Sequence, residues 1–272
     1  MTQTSTISSK DKPKRPGLLS KTKAKVKNLS LKSKENLPDY EALYEGHAKK
    51  VPDESVIGDG DFNDIGFLEL SILKECGLQA DHTLLDLGCG AARLARHAVP
   101  YLSDGRYIGV EIAPSILERA KETCEKHRID TERVTWLCEK DETFPTLSDN
   151  SVDSACAFSV FTHMDAEDTY RYIHRIKQIL KPGGRLIASF LLLEESDEAR
   201  KIFQGSASKP YLERRKDVLC VCTSKSFVNT VAEMSGFAVE TWFDHDSQAF
   251  EFNSKGEFGA LGQAICVMYK TA

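Results

Sequence analysis

The stretch Leu85-Asp86-Leu87-Gly88-Cys89-Gly90-Ala91-Ala92-Arg93 decides how this chain is read. It begins inside Thr83–Leu87, an apolar run short enough for a strand, and ends inside Ala91–Leu102, which has helical character. Between them Gly88 and Gly90 permit a tight turn and a close approach of backbone to ligand, and the helix that follows offers unpaired N–H groups. Strand, glycine turn and helix make the first half of a parallel crossover unit.

The same alternation continues downstream. Arg106–Glu111 reads as a strand, Pro114–Lys126 as a helix with proline in its first turn, and Val134–Cys138 and Val152–Ser159 as strands. Ala166–Leu180 is a helix, Arg185–Leu193 a strand, Ser224–Ser235 a helix, and Ala238–Phe243 and Gln263–Tyr269 are strands. Upstream, Tyr40, Leu43 and Tyr44 recur at helical spacing, and a second helix from about Asn63 to Glu75 ends at Gly77. Strands separated by helices imply right-handed crossovers. The fold class is therefore α/β: a doubly wound, mostly parallel sheet with helices on both faces.

In such a sheet the ligand lies beyond the carboxyl ends of the strands. At the first exit Arg93 stands where the dinucleotide fingerprint needs its third glycine, which weakens a pyrophosphate reading. Asp86, two residues before Gly88, would repel phosphate and suit a ligand with an ammonium group, such as S-adenosylmethionine. The second exit ends at Glu111, about 20 positions after the glycines, where a carboxylate accepts from ribose hydroxyls. The third is Cys138-Glu139-Lys140-Asp141-Glu142, with Asp141 a candidate for an adenine amino group; the fourth is Phe158-Ser159-Val160-Phe161-Thr162-His163-Met164.

Leu85-Asp86-Leu87-Gly88-Cys89-Gly90, Glu111, Asp141 followed by Phe144-Pro145 and Asp149-Asn150-Ser151-Val152-Asp153, and Leu180-Lys181-Pro182-Gly183-Gly184 resemble, in this order and spacing, the motifs of the class I S-adenosylmethionine-dependent methyltransferases. The resemblance covers residues 58 to 270. It implies seven strands, the last two forming an antiparallel hairpin near 238–243 and 263–269. It also implies that Asp86, Gly88 and Gly90 serve the methionine portion of the cofactor, Glu111 the ribose, and Asp141 with Glu142 the adenine. Cys89, Ile112, Phe158 and Ser159 are counted with these as cofactor-binding residues. Lys140 is a departure, since the family often has glycine there. Ile57-Gly58-Asp59-Gly60-Asp61-Phe62, with Ile65-Gly66, resembles a lead-in that would pack over the cofactor.

Methyl transfer is a displacement at carbon from an already activated sulfonium, so a base is needed only when the acceptor must lose a proton. His163, just past the fourth strand, is the candidate catalytic base for a hydroxyl acceptor, and His245 between Asp244 and Asp246 is a second. Asp165, Glu167, Glu194 and Glu195 form either an acidic site or a solvated rim. The long connection from Glu194 to Cys222 reads as an acceptor cover, with Lys209, Pro210, Tyr211, Arg214 and Arg215 available to an anionic acceptor. A small-molecule or sugar acceptor, methylated on oxygen, is the expected partner.

Bulk properties bound the rest. The 272 residues carry a net charge of −5, but residues 1–35 alone carry +8, leaving −13 on the remainder. An acidic body argues against nucleic-acid binding by the folded domain. The domain plan is a basic, disordered tail (1–37) and a catalytic domain (38–272), itself a helical lid (38–78) and a Rossmann-like core (79–272). Residues 10–34 are left as a weak contact for an anionic membrane or RNA, without the arginine bias of a mitochondrial presequence. The eight scattered cysteines lack paired C-x-x-C spacing, so no metal is expected and a reducing cytoplasm is the expected compartment. Cys220-Val-Cys222 places both sulfurs on one face of an extended segment, a minor redox or metal candidate. Three rival classes stay open: a nicotinamide-dependent oxidoreductase, a silent cofactor-binding module, and a methyltransferase reaching RNA, protein or membrane-bound substrate through the tail.

Overall fold

The computed structural model describes residues 40–50, 61–245 and 248–271. The basic tail, its membrane or RNA contact, and most of the glycine-rich lead-in lie outside the described residues.

Helices α1 (Tyr40–Lys50) and α2 (Phe62–Glu75) precede the first strand. Asp61 caps α2, its carboxylate accepting from the amides of Asn63 and Asp64. Then come β1 (Thr83–Leu87), α3 (Ala95–Tyr101), β2 (Arg106–Glu111), α4 (Pro114–Lys126), β3 (Val134–Cys138) and β4 (Val152–Ala157). A single 3-10 turn (Phe161–His163) leads to α5 (Ala166–Ile179) and β5 (Leu180–Leu192). The remainder is α6 (Asp197–Ala207), α7 (Tyr211–Arg214), β6 (Cys222–Thr223), α8 (Lys225–Ser235), β7 (Phe237–Phe243), a small hairpin of β8 (Phe250–Glu251) and β9 (Phe258–Gly259), and β10 (Ala264–Lys270).

The main sheet runs β3-β2-β1-β4-β5-β10-β7, with β6 added at the far end of β5. Strands β1 to β5 pair in parallel, whereas β10 is antiparallel to both β5 and β7. The strand order reverses between β1 and β4, so a crevice opens at their carboxyl ends.

Each strand of the sheet's centre is buried on both faces, and the two-residue period of side chains sorts them into two cores. Leu85, Leu87 and Val110 join Ile173 and Ile176 of α5 and Val228 and Val231 of α8. Leu84, Tyr107 and Cys156 join the opposite core, with Leu68, Ile72 and Leu73 of α2 and Ala95 and Ala98 of α3.

Several boundaries differ from the sequence expectation for local reasons. The helix after the glycine turn begins at Ala95 because Ala91 to Leu94 form turns, with Ala92 at φ 69°. Strand β4 stops at Ala157, since Ser159 turns into the left-handed region at φ 58°. Strand β5 starts at Leu180 rather than 185 because Leu180 pairs with Val152 before the irregularity that Gly183 (φ 84°) accommodates. The cover from 194 to 222 carries two helices of its own. None of the described helices is long and apolar enough to cross a membrane.

Candidate active site

A cavity of about 390 Å³ opens at the switch point and is lined from the exits of β1, β2, β3 and β4. Its size falls in the range of small-molecule sites. Leu87 and Gly88 form one wall. The amides of Gly88 and Cys89 both donate to the Val110 carbonyl, at 2.8 and 3.0 Å, which folds the glycine turn against β2. Gly88 sits at φ 70°, and a Cβ there would stand 2.6 Å from Val160 Cγ2, so only glycine lets the β1 and β4 exits meet.

Glu111 is the organising carboxylate. Its Oε2 accepts from the Gly90 amide at 3.2 Å, and its Oε1 from Ile112 and Ala113 at 2.8 and 3.1 Å. Burial raises its pKa while these three backbone donors oppose the shift. It lines the cavity beside Ile112 and is an acceptor held in place, the requirement for binding a vicinal diol. Phe158 and Ser159 line the same cavity, so four of the expected cofactor residues meet Gly88 there.

The other expected residues stand elsewhere. Asp86 does not line the cavity: it shares its sheet face with Leu84, beneath α2 and α3. Its carboxylate accepts from the Tyr107 hydroxyl and, at 3.4 Å, from the Cys156 thiol. Burial raises its pKa to about 7. Cys89 is buried under the turn with its sulfur close to Gly109, and Gly90 acts through its amide on Glu111. Asp141 is exposed, its carboxylate accepting from the Thr143 amide at 2.9 Å, and Glu142 pairs with Arg171 at 2.5 Å. The third exit is represented in the cavity by Glu139 instead, whose amide donates to the Glu111 carbonyl at 3.1 Å.

Residues that the sequence reading does not mark as site residues roof the cavity. Tyr40, Tyr44 and His47 of α1 line the cavity with Tyr172 and the segment Val218 to Cys220. Glu45 fixes α1 by accepting from the Ser115 amide at 2.8 Å, in the first turn of α4, and that bond lowers its pKa. Arg119 donates to the Ala48 carbonyl at 2.8 Å, and Glu41 pairs with Lys140 at 2.6 Å. The signal available was the tyrosine spacing of α1, which marks a buried face without saying what it covers. Arg93 lines the cavity too, and its guanidinium pairs with the buried Glu69 of α2 at 2.5 Å.

His163 projects from the 3-10 turn into the cavity, edge-on to Tyr44 with centroids 6.1 Å apart. Its Nδ1 lies 2.6 Å from the Leu219 carbonyl. A carbonyl only accepts, so Nδ1 carries the proton and the neutral ring presents an unprotonated Nε2. Burial lowers its pKa, and the charge of His47 acts in the same direction. His245 does not line the cavity. Glu194 accepts from the Lys225 amide at 2.6 Å, and Glu195 and Asp244 both pair with the Lys225 ammonium. Cys220 lines the cavity while Cys222 lines a separate apolar pocket with its thiol toward the Ala199 carbonyl, so the two sulfurs do not share a site. Among the described residues no group of three or more His, Cys, Asp or Glu side chains is placed to hold a metal.

Residues 84–184 match the family model described as a methyltransferase domain. The chain is 34% identical over 114 residues to the malonyl-[acyl-carrier protein] O-methyltransferase of Brevibacillus brevis, spanning 39% of this chain and 37% of that protein. It is 28% identical over 127 residues to the ribosomal protein L11 methyltransferase of Azotobacter vinelandii, spanning 47% and 40%. The chain thus spans about two fifths of the length of these relatives. The magnesium protoporphyrin IX methyltransferase of Synechocystis PCC 6803, solved with bound S-adenosylhomocysteine, superposes with a TM-score of 0.56 at 13% identity, covering 85% of this chain and 96% of that one. The matched segment runs from the strand before the glycine turn to Gly184, and it carries the turn, Glu111 and the proline-glycine motif inside a sheet ordered 3-2-1-4-5 ahead of an antiparallel pair. Residues 84–184 are those of a methyltransferase domain, and the fold is the Rossmann-like fold of the class I S-adenosylmethionine-dependent methyltransferases.

Proposed function

We propose that the protein methylates a hydroxyl of a small-molecule or sugar acceptor, with His163 as general base. The observation that carries this reading is the 2.6 Å contact of His163 Nδ1 with the Leu219 carbonyl, inside the cavity that Gly88 and Glu111 line. S-adenosylmethionine supplies an activated methyl on a sulfonium. The residues fit it: a glycine wall, a ribose acceptor in Glu111, a carboxylate at Glu139 for the adenine side, and an apolar enclosure.

Gly88, Glu111 and Glu139 would hold the sulfonium so that its methyl carbon passes to the acceptor oxygen as the carbon–sulfur bond breaks, with S-adenosylhomocysteine as the leaving group. His163 Nε2 takes the hydroxyl proton, and the imidazolium then releases it to solvent. The Leu219 carbonyl stabilises that imidazolium through Nδ1–H, so the cover segment both encloses the acceptor and orients the base. Tyr40, Tyr44 and Tyr172 narrow the acceptor side and exclude water. We assign the catalytic domain to residues 38–272, and eight free thiols support a reducing, cytoplasmic setting.

Release of S-adenosylhomocysteine across a panel of hydroxylated metabolites and sugars tests the reading. For the responding acceptor, His163→Ala is expected to lower kcat about 10²- to 10⁴-fold with S-adenosylmethionine affinity unchanged. The wild-type kcat/KM should fall on acidification through a midpoint below 6.5, the direction in which burial moves this histidine. Full activity of His163→Ala on a hydroxyl acceptor removes the base. Deleting residues 1–37 should leave turnover on that acceptor unchanged.

A further inference from the structure

Ser159 closes a ring of hydrogen bonds that no motif announces. Its amide donates to Ser189 Oγ at 2.7 Å, Ser189 Oγ donates to Gln263 Oε1 at 2.7 Å, and Gln263 Nε2 donates to Ser159 Oγ at 2.9 Å. Ser189 lies on β5 and is fully buried, and Gln263 immediately precedes β10, where Gln248 Nε2 donates to its carbonyl at 2.5 Å. The ring holds Ser159 at φ 58°, a conformation few side chains adopt, at the point where β4 turns toward Val160 and the base.

The direction of the ring follows from proton counting. Ser189 Oγ already accepts the Ser159 amide, so its own proton must be donated to the Gln263 carbonyl oxygen. Reversing the Gln263 amide would leave that buried proton without an acceptor. Gln263 therefore donates one amide proton to Ser159 Oγ; the ring leaves its second amide proton and the Ser159 hydroxyl proton unused, and of these two residues only Ser159 lines the cavity. Ser159 lines the cavity, next to Val160, which packs on Gly88.

We propose that Ser189 and Gln263 are positioning residues that turn the Ser159 hydroxyl into the cavity as a donor to the α-carboxylate of the methyl donor. This rests on the proposed donor site. A donor at the glycine end needs an acceptor on the ligand. The ammonium and sulfonium have no lone pair available for it, and the ribose hydroxyls face Glu111. The carboxylate is the acceptor left at that end.

Calorimetry on the full chain tests this with two ligands, S-adenosylmethionine and its decarboxylated analogue, which lacks only the acceptor group. Ser159→Gly keeps the left-handed backbone without strain and loses the hydroxyl. Gln263→Glu replaces the donor by a carboxylate that draws the Ser159 proton back into the ring, and Ser189→Ala opens the ring. Each is expected to weaken S-adenosylmethionine about tenfold, the scale of a hydrogen bond to a charged group. Each should leave the analogue's affinity at its wild-type value. Equal losses for both ligands in every variant would reduce the ring to packing. Wild-type affinity for S-adenosylmethionine in Gln263→Glu and Ser189→Ala would also overturn the proposal, and wild type that binds neither ligand would overturn the donor site itself.

Discussion

Asp86→Asn isolates the ionisation of a carboxyl group buried in the centre of the sheet. Asp86 is 4% exposed, its pKa raised to about 7 by burial and by the nearby Glu69, against the bonds from Tyr107 and Cys156 and the charge of Arg93. The unfolded chain ionises this group near its ordinary 3.8. Between those values the folded protein holds a proton that the unfolded chain has released, so each rise of one pH unit removes about 1.4 kcal/mol of stability. Below pH 3.8 the contribution is complete, and above about pH 7 nothing further is lost. Asparagine keeps an oxygen for the Tyr107 hydroxyl and never ionises. Relative to wild type, the variant should therefore gain about 3 kcal/mol between pH 5 and pH 8. Urea unfolding at four pH values in that interval measures the difference, and all other titrating groups cancel in it. A difference that stays flat would refute the reasoning, because it would mean that Asp86 is ionised, or protonated, throughout.

The remaining predictions concern the cavity walls. Gly88→Ala combines φ 70° with a Cβ 2.6 Å from Val160 Cγ2, and should lose about 1–3 kcal/mol by urea unfolding together with S-adenosylmethionine affinity; adding Val160→Ala should recover part of both. Arg93→Met strands the Glu69 carboxylate, 2% exposed and already raised in pKa by burial, and should lose about 3–5 kcal/mol at pH 8 but less at pH 5, where Glu69 can protonate. Glu139→Gln should weaken S-adenosylmethionine binding in calorimetry, whereas Asp141→Asn should leave it unchanged, since Asp141 turns its carboxylate onto the Thr143 amide.

The sheet was legible because its central strands are short apolar runs, β1 closed by glycine and β2 and β3 by carboxylates. Parallel pairing then follows from the helical crossovers, whereas the strand order and its reversal at β1 come from the structure. Glu111 was legible for the same reason: a strand end is a fixed place, and a carboxylate there can reach the amides that follow it. Asp86 lies one residue out of the period that lines the cavity. It stands close to Gly88, but Leu85 and Leu87 face one core and Leu84 the other. The two-residue period therefore puts its carboxylate under α2 with Tyr107 and Cys156. That period is readable in Leu84-Leu85-Asp86-Leu87.

The third exit is less legible, because beyond Cys138 the chain leaves the sheet and no period remains to say which of Glu139, Asp141 or Glu142 turns inward. Arg171 pairs with Glu142 and the Thr143 amide holds Asp141, while Lys140 reaches Glu41 of α1. Long-range pairs of this kind leave no local trace. The roof is the same case at larger scale: α1 and the segment from Val218 to Cys220 meet the cavity only through tertiary contacts, with Glu45 on α4 and the Leu219 carbonyl on His163. On the proposed reading, the walls at the strand ends would face the cofactor and the docked segments the acceptor. Acceptor choice in this chain is therefore expected to respond to substitutions in Tyr40, Tyr44 and Val218 that leave S-adenosylmethionine affinity intact.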